Sequence, residues 1–340
     1  MLKTTTFLFL AAVTSTALDA KQPIALVIHG GAGTISPSTM TPEKEAAYQA
    51  DLNKALDAGY KVLEQGGSSL DAVTQAVKVM EDSPLFNAGK GAVYTFDGEH
   101  ELDAAIMRGD TKAAGAVAGV KIVKNPIELA RRVMEKSEHV MLAGRGAEQF
   151  AKEQGLELVD NRYFDTPFRL EALNKAKAVL EKLPHQASVR LAPEFQPSWN
   201  MGTVGAVAID RQGNLAAATS TGGMTAKRYG RIGDAPVIGA GTYADNQSCA
   251  VSATGHGEFF IRYQVAADIC ARVKYAGIAA DKAAETVIQQ VLKPIGGTGG
   301  VIVIDSKGQV SWSFNTEGMY RAKKVEGQNA VFGIYQQNMR

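Results

Sequence analysis

The stretch that decides the fold reads Gly202-Thr-Val-Gly-Ala-Val-Ala-Ile209. After Thr203 the residues are small or β-branched and apolar through Ile209, a run typical of a buried strand. The segment before it, 184–202, carries three prolines and shows no period, which predicts a mobile connector. A threonine that opens a buried strand directly after such a connector is placed to become a new amino terminus if the chain is cut before it.

A cut between Gly202 and Thr203 would create a nucleophile together with its own base. A threonine hydroxyl is a poor nucleophile at neutral pH, but an α-amino group with a pKa near ~7.7–8.0 accepts a proton readily and sits on the same residue. Glycine before it tolerates the strained backbone that an attack on the preceding carbonyl requires. Taken alone, however, the segment is more often simply a strand that begins with a β-branched residue.

Outward from this stretch, predicted strands and helices alternate along the chain. A buried strand over 24–29 stops at a glycine-rich turn. Helical periodicity and strand patterns follow on both sides of the connector, and two sheets with helices outside them accommodate this order. The predicted helices cover 42–65, 70–80, 127–136, 146–154 and 169–182, and the predicted strands cover 92–96, 101–107, 114–122, 203–209 and 215–220. Further strands and two helices are expected after them, before a final hairpin of 301–304 and 310–314.

Composition narrows the class of protein. The 340 residues are 45% hydrophobic and 21% charged, so the chain can bury a core. Its net charge of +1 creates no strong positive potential that would attract nucleic acid or an acidic membrane. The sequence contains no GxSxG, HExxH or GxxxxGK[ST] motif, and its five histidines lack metal-ligand spacing. These absences argue against an α/β-hydrolase, a zinc hydrolase and a P-loop protein.

The amino terminus has the pattern of a secretory signal. Lys3 precedes an apolar run over 7–13, and small residues follow up to Ala20. We interpret 1–20 as a signal peptide cut after Ala17 or Ala20, so the mature chain is expected to be secreted or periplasmic. The alternative is a first helix of the mature domain. A membrane anchor is disfavoured, because the run is far shorter than the ~20 residues that span a bilayer.

The two cysteines form no disulfide framework. Cys249 lies in an alternating run with Val251, and Cys270 lies on an apolar helix face. Oxidation is chemically open to an exported chain, but we expect two buried free thiols.

Seven blocks of sequence, taken together, resemble the plant-type L-asparaginase and isoaspartyl peptidase family of N-terminal nucleophile hydrolases. They occur in order and span nearly the whole mature chain. The blocks are HGGAGT at 29–34, PLFNAGKGAV at 84–93, ELDA at 101–104, GTVGAVAID at 202–210, AAATSTGGMT at 216–225, GRIGDAPVIGAGTYAD at 230–245 and SATGHGE at 252–258.

The resemblance implies a fold and a maturation step. The fold is an α/β (α+β) four-layer αββα sandwich forming one structural domain, made as a precursor that cuts itself between Gly202 and Thr203. An α chain of 21–202 and a β chain of 203–340 result. Thr203 becomes the nucleophile and its amine the general base.

Further site residues follow from the resemblance. Thr221 matches a second threonine that orients the nucleophile, although a strand-end hydroxyl bonded to backbone is an equal alternative without the family. Thr254 and Gly255 match the oxyanion hole, where the alternative is a plain glycine turn before a helix. Asn87 is expected to approach the site from the α chain.

The substrate's α-amino acid head is assigned to Arg231 and Asp234. A carboxylate needs a planar donor fork and an ammonium needs an acceptor. In an unrelated protein, this pair three residues apart would more often form a surface ion pair, but the resemblance places both side chains at the substrate.

No organic cofactor is implied. The loop at 80–90 resembles a sodium loop that binds the ion through backbone carbonyls, so side chains do not identify it. The residues that match this loop are Met80, Glu81, Ser83, Phe86, Ala88 and Lys90.

The resemblance implies a hydrolase that converts L-asparagine to aspartate and ammonia and cleaves β-aspartyl dipeptides, assembled as a dimer of αβ units. A glycosylasparaginase-like hydrolase is the nearest alternative, because it shares the fold and nucleophile but must admit a glycan. An exported amino-acid-binding protein that uses Arg231 and Asp234 without turnover is the alternative from another class.

Overall fold

The computed structural model describes residues 22–33, 35, 38, 40–181 and 202–336. The predicted signal peptide, 1–20, lies outside the described residues, as does all of the predicted connector except Gly202. Within the described residues the strands are β1 (Ala25–Gly33), β2 (Leu102–Arg108), β3 (Ala114–Val120), β4 (Met141–Ala143), β5 (Val204–Ile209), β6 (Leu215–Thr221), β7 (Thr242–Ala244), β8 (Cys249–Gly255), β9 (Gly299–Asp305), β10 (Val310–Phe314), β11 (Gly318–Val325) and β12 (Val331–Tyr335).

These strands form two sheets. The larger sheet has the order β12-β11-β1-β5-β6-β2-β3-β4, and the smaller has the order β10-β9-β8-β7. Neighbouring strands are antiparallel except β3 and β4, which are parallel. Strand β5 is buried along its length and lies between β1 and β6 near the middle of the larger sheet. The residue that precedes β5, Thr203, is therefore held at the centre of the molecule.

Helices cover the outer face of each sheet. They are α1 (Pro42–Glu64), α2 (Ser69–Glu81), α3 (Pro126–Lys136), α4 (Gly144–Glu153), α5 (Pro167–Leu180), α6 (Gly257–Arg262), α7 (Val265–Ala276) and α8 (Ala280–Glu285), which continues into a π-helical segment, Thr286–Leu292. Thr41 and Ser68 cap α1 and α2 with side-chain oxygens that accept backbone N–H groups. None of the described helices is both long and apolar enough to cross a membrane.

Alternation along the strands produces four layers. In β5, Val204 and Ala206 face a core shared with α1, α2 and α3, whereas Val207 and Ile209 face the smaller sheet. The outer face of the smaller sheet packs on α7, α8 and the π-helical segment. The order is helix, sheet, sheet, helix, which confirms the αββα sandwich that the sequence predicts.

One predicted strand does not form, and β4, β11 and β12 lie where the sequence predicts no strand. Residues 92–96 form no strand, because the Val93 N–H is taken by Asn87 Oδ1 at 2.9 Å and Thr95 makes only an isolated bridge to Lys227. Strands β11 and β12 follow the hairpin that the sequence predicts to be the last. The pattern of β11 is obscured by Arg321, which is buried and donates hydrogen bonds to backbone carbonyls.

The expectation of two free thiols is wrong. Cys249 and Cys270 are joined by a disulfide with a Cα–Cα separation of 5.3 Å. Both residues belong to the core that β8 shares with α7. Cys249 begins the strand and Cys270 lies on the helix face that packs against it, so the packing that buries them also brings them together.

Candidate active site

Thr203 faces Thr221 across two neighbouring strands. Val204 of β5 pairs with Ser220 of β6, which sets the two threonines side by side at one end of the strands. Thr203 is only 7% exposed, and its Oγ1 donates to Thr221 Oγ1 at 3.1 Å. Thr221 Oγ1 also accepts the Gly223 N–H at 2.9 Å. With both acceptor positions filled, the Thr221 hydroxyl retains its own proton for donation toward the site.

The smaller sheet supplies the opposite wall. Thr254 and Gly255 end β8, and Thr254 Oγ1 accepts the Ala32 N–H of β1 at 3.3 Å. Gly255 has φ +156°, and a Cβ there would lie 2.5 Å from the Thr298 carbonyl oxygen. A side chain is therefore excluded, and the Gly255 backbone faces the same small pocket as Thr203. The lining residues of that pocket are Thr203, Thr221, Gly223, Met224, Arg231, Gly233, Asp234 and Gly255.

Arg231 is in the pocket wall, but it does not form the ion pair with Asp234 that its spacing suggests. Its Nε and Nη2 donate to the two carboxylate oxygens of Glu258 at 2.9 and 2.8 Å. The guanidinium edge at Nη1 is left for a second carboxylate. Glu258 was not singled out in the sequence, although it closes the SATGHGE block. His256 Nε2 lies 3.3 Å from Glu258 Oε2, so this histidine contacts the partner of Arg231 rather than Thr203.

Asp234 is buried beside Arg231. Burial raises the pKa of the carboxyl to about 7, and the nearby Arg231 opposes that rise. Among the described residues, Asp234 Oδ2 has no hydrogen-bond partner. A buried carboxyl oxygen without a donor is costly, and an ammonium group in the pocket would satisfy it. Arg231 and Asp234 together therefore suit the zwitterionic head of an amino acid.

Asn87 organises the backbone around the threonine pair without lining the pocket. Its N–H donates to the Gly202 carbonyl at 3.1 Å, and its own carbonyl accepts the Gly222 N–H at 3.1 Å. The Asn87 side chain donates to the Gly223 carbonyl at 2.7 Å. The carbonyl that precedes Thr203 is thus polarised by a backbone donor. Gly31 approaches from the other side, because a Cβ on it would lie 2.4 Å from Gly202 Cα.

The candidate sodium loop is tightly wound around its own carbonyl groups. Gly89 has φ +49°, and a Cβ there would lie 2.2 Å from the Glu81 carbonyl oxygen. A Cβ on Gly91 would lie 2.1 Å from the Phe86 carbonyl oxygen. Oxygen donors of this kind suit a hard cation. The described residues contain no cluster of His, Cys, Asp and Glu side chains for a transition metal.

A central-strand threonine between two sheets is the arrangement of the N-terminal nucleophile hydrolases. The family model described as asparaginase matches residues 21–334, and the chain belongs to this family. It is 51% identical over 313 residues to the isoaspartyl peptidase of Salmonella typhimurium, covering 92% of this chain and 98% of that relative. It is 43% identical over 307 residues to the plant-type L-asparaginase of Pyrococcus abyssi, covering 90% and 98%.

Proposed function

We propose that this chain is a self-cleaving threonine amidohydrolase that hydrolyses L-asparagine and β-aspartyl dipeptides. The observation that carries the proposal is the Thr203–Thr221 hydroxyl pair in a pocket that also holds Arg231 and Asp234. Relatives over nearly the whole length are named isoaspartyl peptidase and L-asparaginase. Asparagine and β-aspartyl dipeptides share one α-amino acid head and carry the scissile amide on the β-carbonyl, so a single pocket accommodates both.

The reaction divides into two steps. The free amine of Thr203 takes the hydroxyl proton, and Oγ1 attacks the β-carbonyl; the resulting oxyanion lies toward Thr254 and Gly255. The leaving nitrogen receives the proton, and collapse of the tetrahedral intermediate then releases ammonia from asparagine or the second amino acid from a dipeptide. Water, activated by the same amine, then hydrolyses the β-aspartyl ester and releases aspartate. Every acid, base and donor belongs to the chain, so no organic cofactor enters the reaction.

Maturation uses the same hydroxyl on a different carbonyl. Thr203 Oγ1 attacks the Gly202 carbonyl carbon, the hydroxyl proton passes to the Thr203 nitrogen, and the peptide C–N bond breaks to leave an ester between the two residues. Water then hydrolyses the ester. The Asn87 N–H on the Gly202 oxygen supports this step, because it stabilises the charge that develops there. The proposed products are an α chain ending at Gly202 and a β chain beginning at Thr203.

One experiment tests the proposal and its alternatives. Purified protein is run on a denaturing gel, the fragments are sequenced from their amino termini, and release of aspartate is measured from asparagine, β-Asp-Leu and a glycosylated asparagine. Two fragments, one starting at Thr203, with turnover of the first two substrates support the proposal. An uncut chain that binds aspartate without turnover would indicate the binding protein, and preference for the glycosylated substrate would indicate the glycosylasparaginase.

Asp234 gives a pH prediction. Its pKa of about 7 means that its carboxyl is protonated below that pH and no longer attracts an ammonium group. The charged groups that influence it are Arg231, which lowers the pKa, and Glu258 and Asp103, which raise it. We therefore expect the ionisation of Asp234 to contribute a fall in kcat/KM of about tenfold per unit below pH 7.

The amine of Thr203 also titrates in this range, so binding of L-aspartate is measured in parallel because it needs no proton transfer. Its Kd should weaken below pH 7 with the same slope. A Kd that stays constant from about pH 5.5 to 8 would remove Asp234 from ammonium recognition.

We also propose a sodium ion in the loop at 80–90, held by backbone carbonyls of Met80, Glu81, Ser83, Phe86, Ala88 and Lys90. The ion would stiffen the turn that leads to Asn87. Replacing Na⁺ with tetramethylammonium at equal ionic strength should lower Tm or kcat, while fragments already cut remain unchanged on a gel. Indifference of both quantities to the cation would leave the loop as a simple turn.

We propose that the mature protein is exported and assembles as a dimer of αβ units. The signal-like segment 1–20, a family match that begins at residue 21 and the Cys249–Cys270 disulfide support export, because disulfides persist in oxidising compartments. The dimer rests on family resemblance. Fractionation of the native host tests export, which expects the protein outside the cytoplasm. Light scattering of the purified enzyme tests the assembly, which expects the mass of two αβ units.

A further inference from the structure

A second polar row lies between the sheets, directly beneath the threonine pair. On β6, Thr219 lies two residues further into the sheet than Thr221, and on β8, Ser252 lies two residues further in than Thr254. Because alternate residues of a strand share a face, all four side chains point into the space between the sheets. Deeper still, the same faces carry only apolar side chains such as Ala217 and Ala250. None of the second-row residues lines the substrate pocket.

Gly205 makes the space that this row needs. It pairs with His29 on one side and with Thr219 on the other, so the three residues lie side by side across the larger sheet. A Cβ on Gly205 would lie 1.9 Å from Ser252 Oγ and 2.4 Å from His29 Nε2. Ser252 of the smaller sheet thus occupies the position of the missing side chain and reaches both neighbours.

The row is a continuous chain of hydrogen bonds that crosses between the sheets three times. His29 Nε2 and Ser252 Oγ are 3.0 Å apart, Ser252 Oγ and Thr219 Oγ1 are 2.7 Å apart, and Thr242 Oγ1 and Thr219 Oγ1 are 2.7 Å apart. His29 and Thr219 belong to the larger sheet, and Ser252 and Thr242 belong to the smaller sheet. All four side chains are fully buried.

His29 is neutral in this chain. Burial lowers its pKa to about 3, and the Thr203 backbone partly opposes that change. A neutral imidazole donates from one nitrogen and accepts at the other, as a hydroxyl does. The chain therefore has no net charge to desolvate, and His29 joins it through Nε2, whereas Nδ1 has no hydrogen-bond partner among the described residues.

We propose that this chain, His29–Ser252–Thr219–Thr242, fixes the separation of the two sheets at the active site and so aligns the nucleophile with the oxyanion hole. The alignment is needed because Thr203 and Thr221 belong to the larger sheet, whereas Thr254 and Gly255 belong to the smaller one. The proposal rests on the proposed function of Thr203, and its members are positioning residues that touch no substrate.

Apolar packing alone would hold the sheets together without fixing their distance to a fraction of an ångström. Hydrogen bonds are directional and restrict the donor–acceptor distance to a narrow range. Valine in place of Thr219 would fill the same volume and remove the central link. Thr219 Oγ1 and Thr242 Oγ1 also donate to the Gly241 and Ala235 carbonyl groups, at 3.2 and 3.1 Å, on the segment that carries Asp234. Ser252 bonds only within the chain, so Ser252→Ala should leave binding of the substrate head unchanged.

The test compares Thr219→Val with Thr219→Ser and with Thr74→Val. Thr74 is a matched control, since it is a buried threonine on α2 whose hydroxyl donates to the Leu70 carbonyl at 2.7 Å, outside the chain. For Thr219→Val we expect kcat per cut molecule to fall by about tenfold to a hundredfold, with slower self-cutting, and for Ser252→Ala we expect a similar fall in kcat with KM within about twofold. Thr219→Ser should restore kcat, and Thr74→Val should leave it unchanged even if Tm falls.

A double-mutant cycle separates a chain from independent contacts. If Ser252→Ala and Thr219→Val break the same chain, the double variant should lose little more kcat than either single variant. Additive losses would overturn the proposal, as would a normal kcat in Thr219→Val. If Thr219→Val does not fold, Ser252→Ala alone must reproduce the loss of kcat at constant KM, and its failure to do so also overturns the proposal. Wild-type turnover is measured first, so that failure of the proposed function is recognised separately.

Discussion

Thr203→Ala is expected to yield a single uncut chain without measurable activity. The substitution removes the hydroxyl proposed to attack the Gly202 carbonyl, which is also the proposed nucleophile of the cut enzyme. It also leaves Thr221 without the donor at 3.1 Å. The fold should persist, because the remaining contacts of β5 are backbone pairs and apolar packing. A denaturing gel, mass spectrometry and ammonia release measure the result.

Thr203→Ser is the matched control for this variant. It keeps a hydroxyl on the same backbone, so the chain should still cut and retain activity, although more slowly because the β-methyl group no longer restricts the rotamer. Normal two-chain processing of Thr203→Ala would refute the assignment of the nucleophile. Processing that fails in both variants would indicate instead that residue 203 serves the fold.

Arg231→Lys is expected to lower kcat/KM for asparagine by about tenfold to a hundredfold. This factor corresponds to the roughly 1.5–3 kcal/mol that is lost when one charged hydrogen bond is removed or misplaced. In the proposed mode of binding the guanidinium serves two carboxylates at once: Glu258 accepts from Nε and Nη2, and the edge at Nη1 is left for the substrate. Lysine is a single point charge and cannot satisfy both in that geometry. The fold and the self-cut should be unaffected.

The pattern across substrates and a control variant test this interpretation. Asparagine and β-Asp-Leu carry the same α-carboxylate, so their kcat/KM values should fall by similar factors. Arg272→Lys is a matched control, since Arg272 also donates Nε to a carboxylate, that of Asp268, but on α7. Unchanged kcat/KM for both substrates in Arg231→Lys would remove Arg231 from the substrate site.

The order of layers and the grouping of site residues were predictable, because short motifs mark the ends of β5, β6 and β8, where the pocket forms. The partner of Arg231 was not predictable in the same way. Glu258 lies 27 residues away, and only the return of β8 into α6 brings the two together. The available signal for Glu258 was its place in the SATGHGE block, where only Thr254 and Gly255 had been given a role.

Charge and spacing misled the prediction elsewhere. Strand β11 contains Arg321 and two lysines, so its pattern does not resemble a buried strand, yet it pairs with β1 along most of its length. The cysteines are 21 residues apart, and that spacing does not reveal that one faces the other across the contact of β8 and α7. Both errors arise because pairing between distant elements is not encoded in local periodicity.

The strand order of the larger sheet has a consequence for the fate of the two proposed chains. Strands β1 to β4 precede the proposed cut, and β5, β6, β11 and β12 follow it. In the sheet, β1 lies between β11 and β5, and β6 lies between β5 and β2. Strands of the two fragments therefore alternate in one sheet, and neither fragment can dissociate without breaking the strand pairs that join it to the other. Cut molecules of two different variants should therefore not exchange halves on mixing.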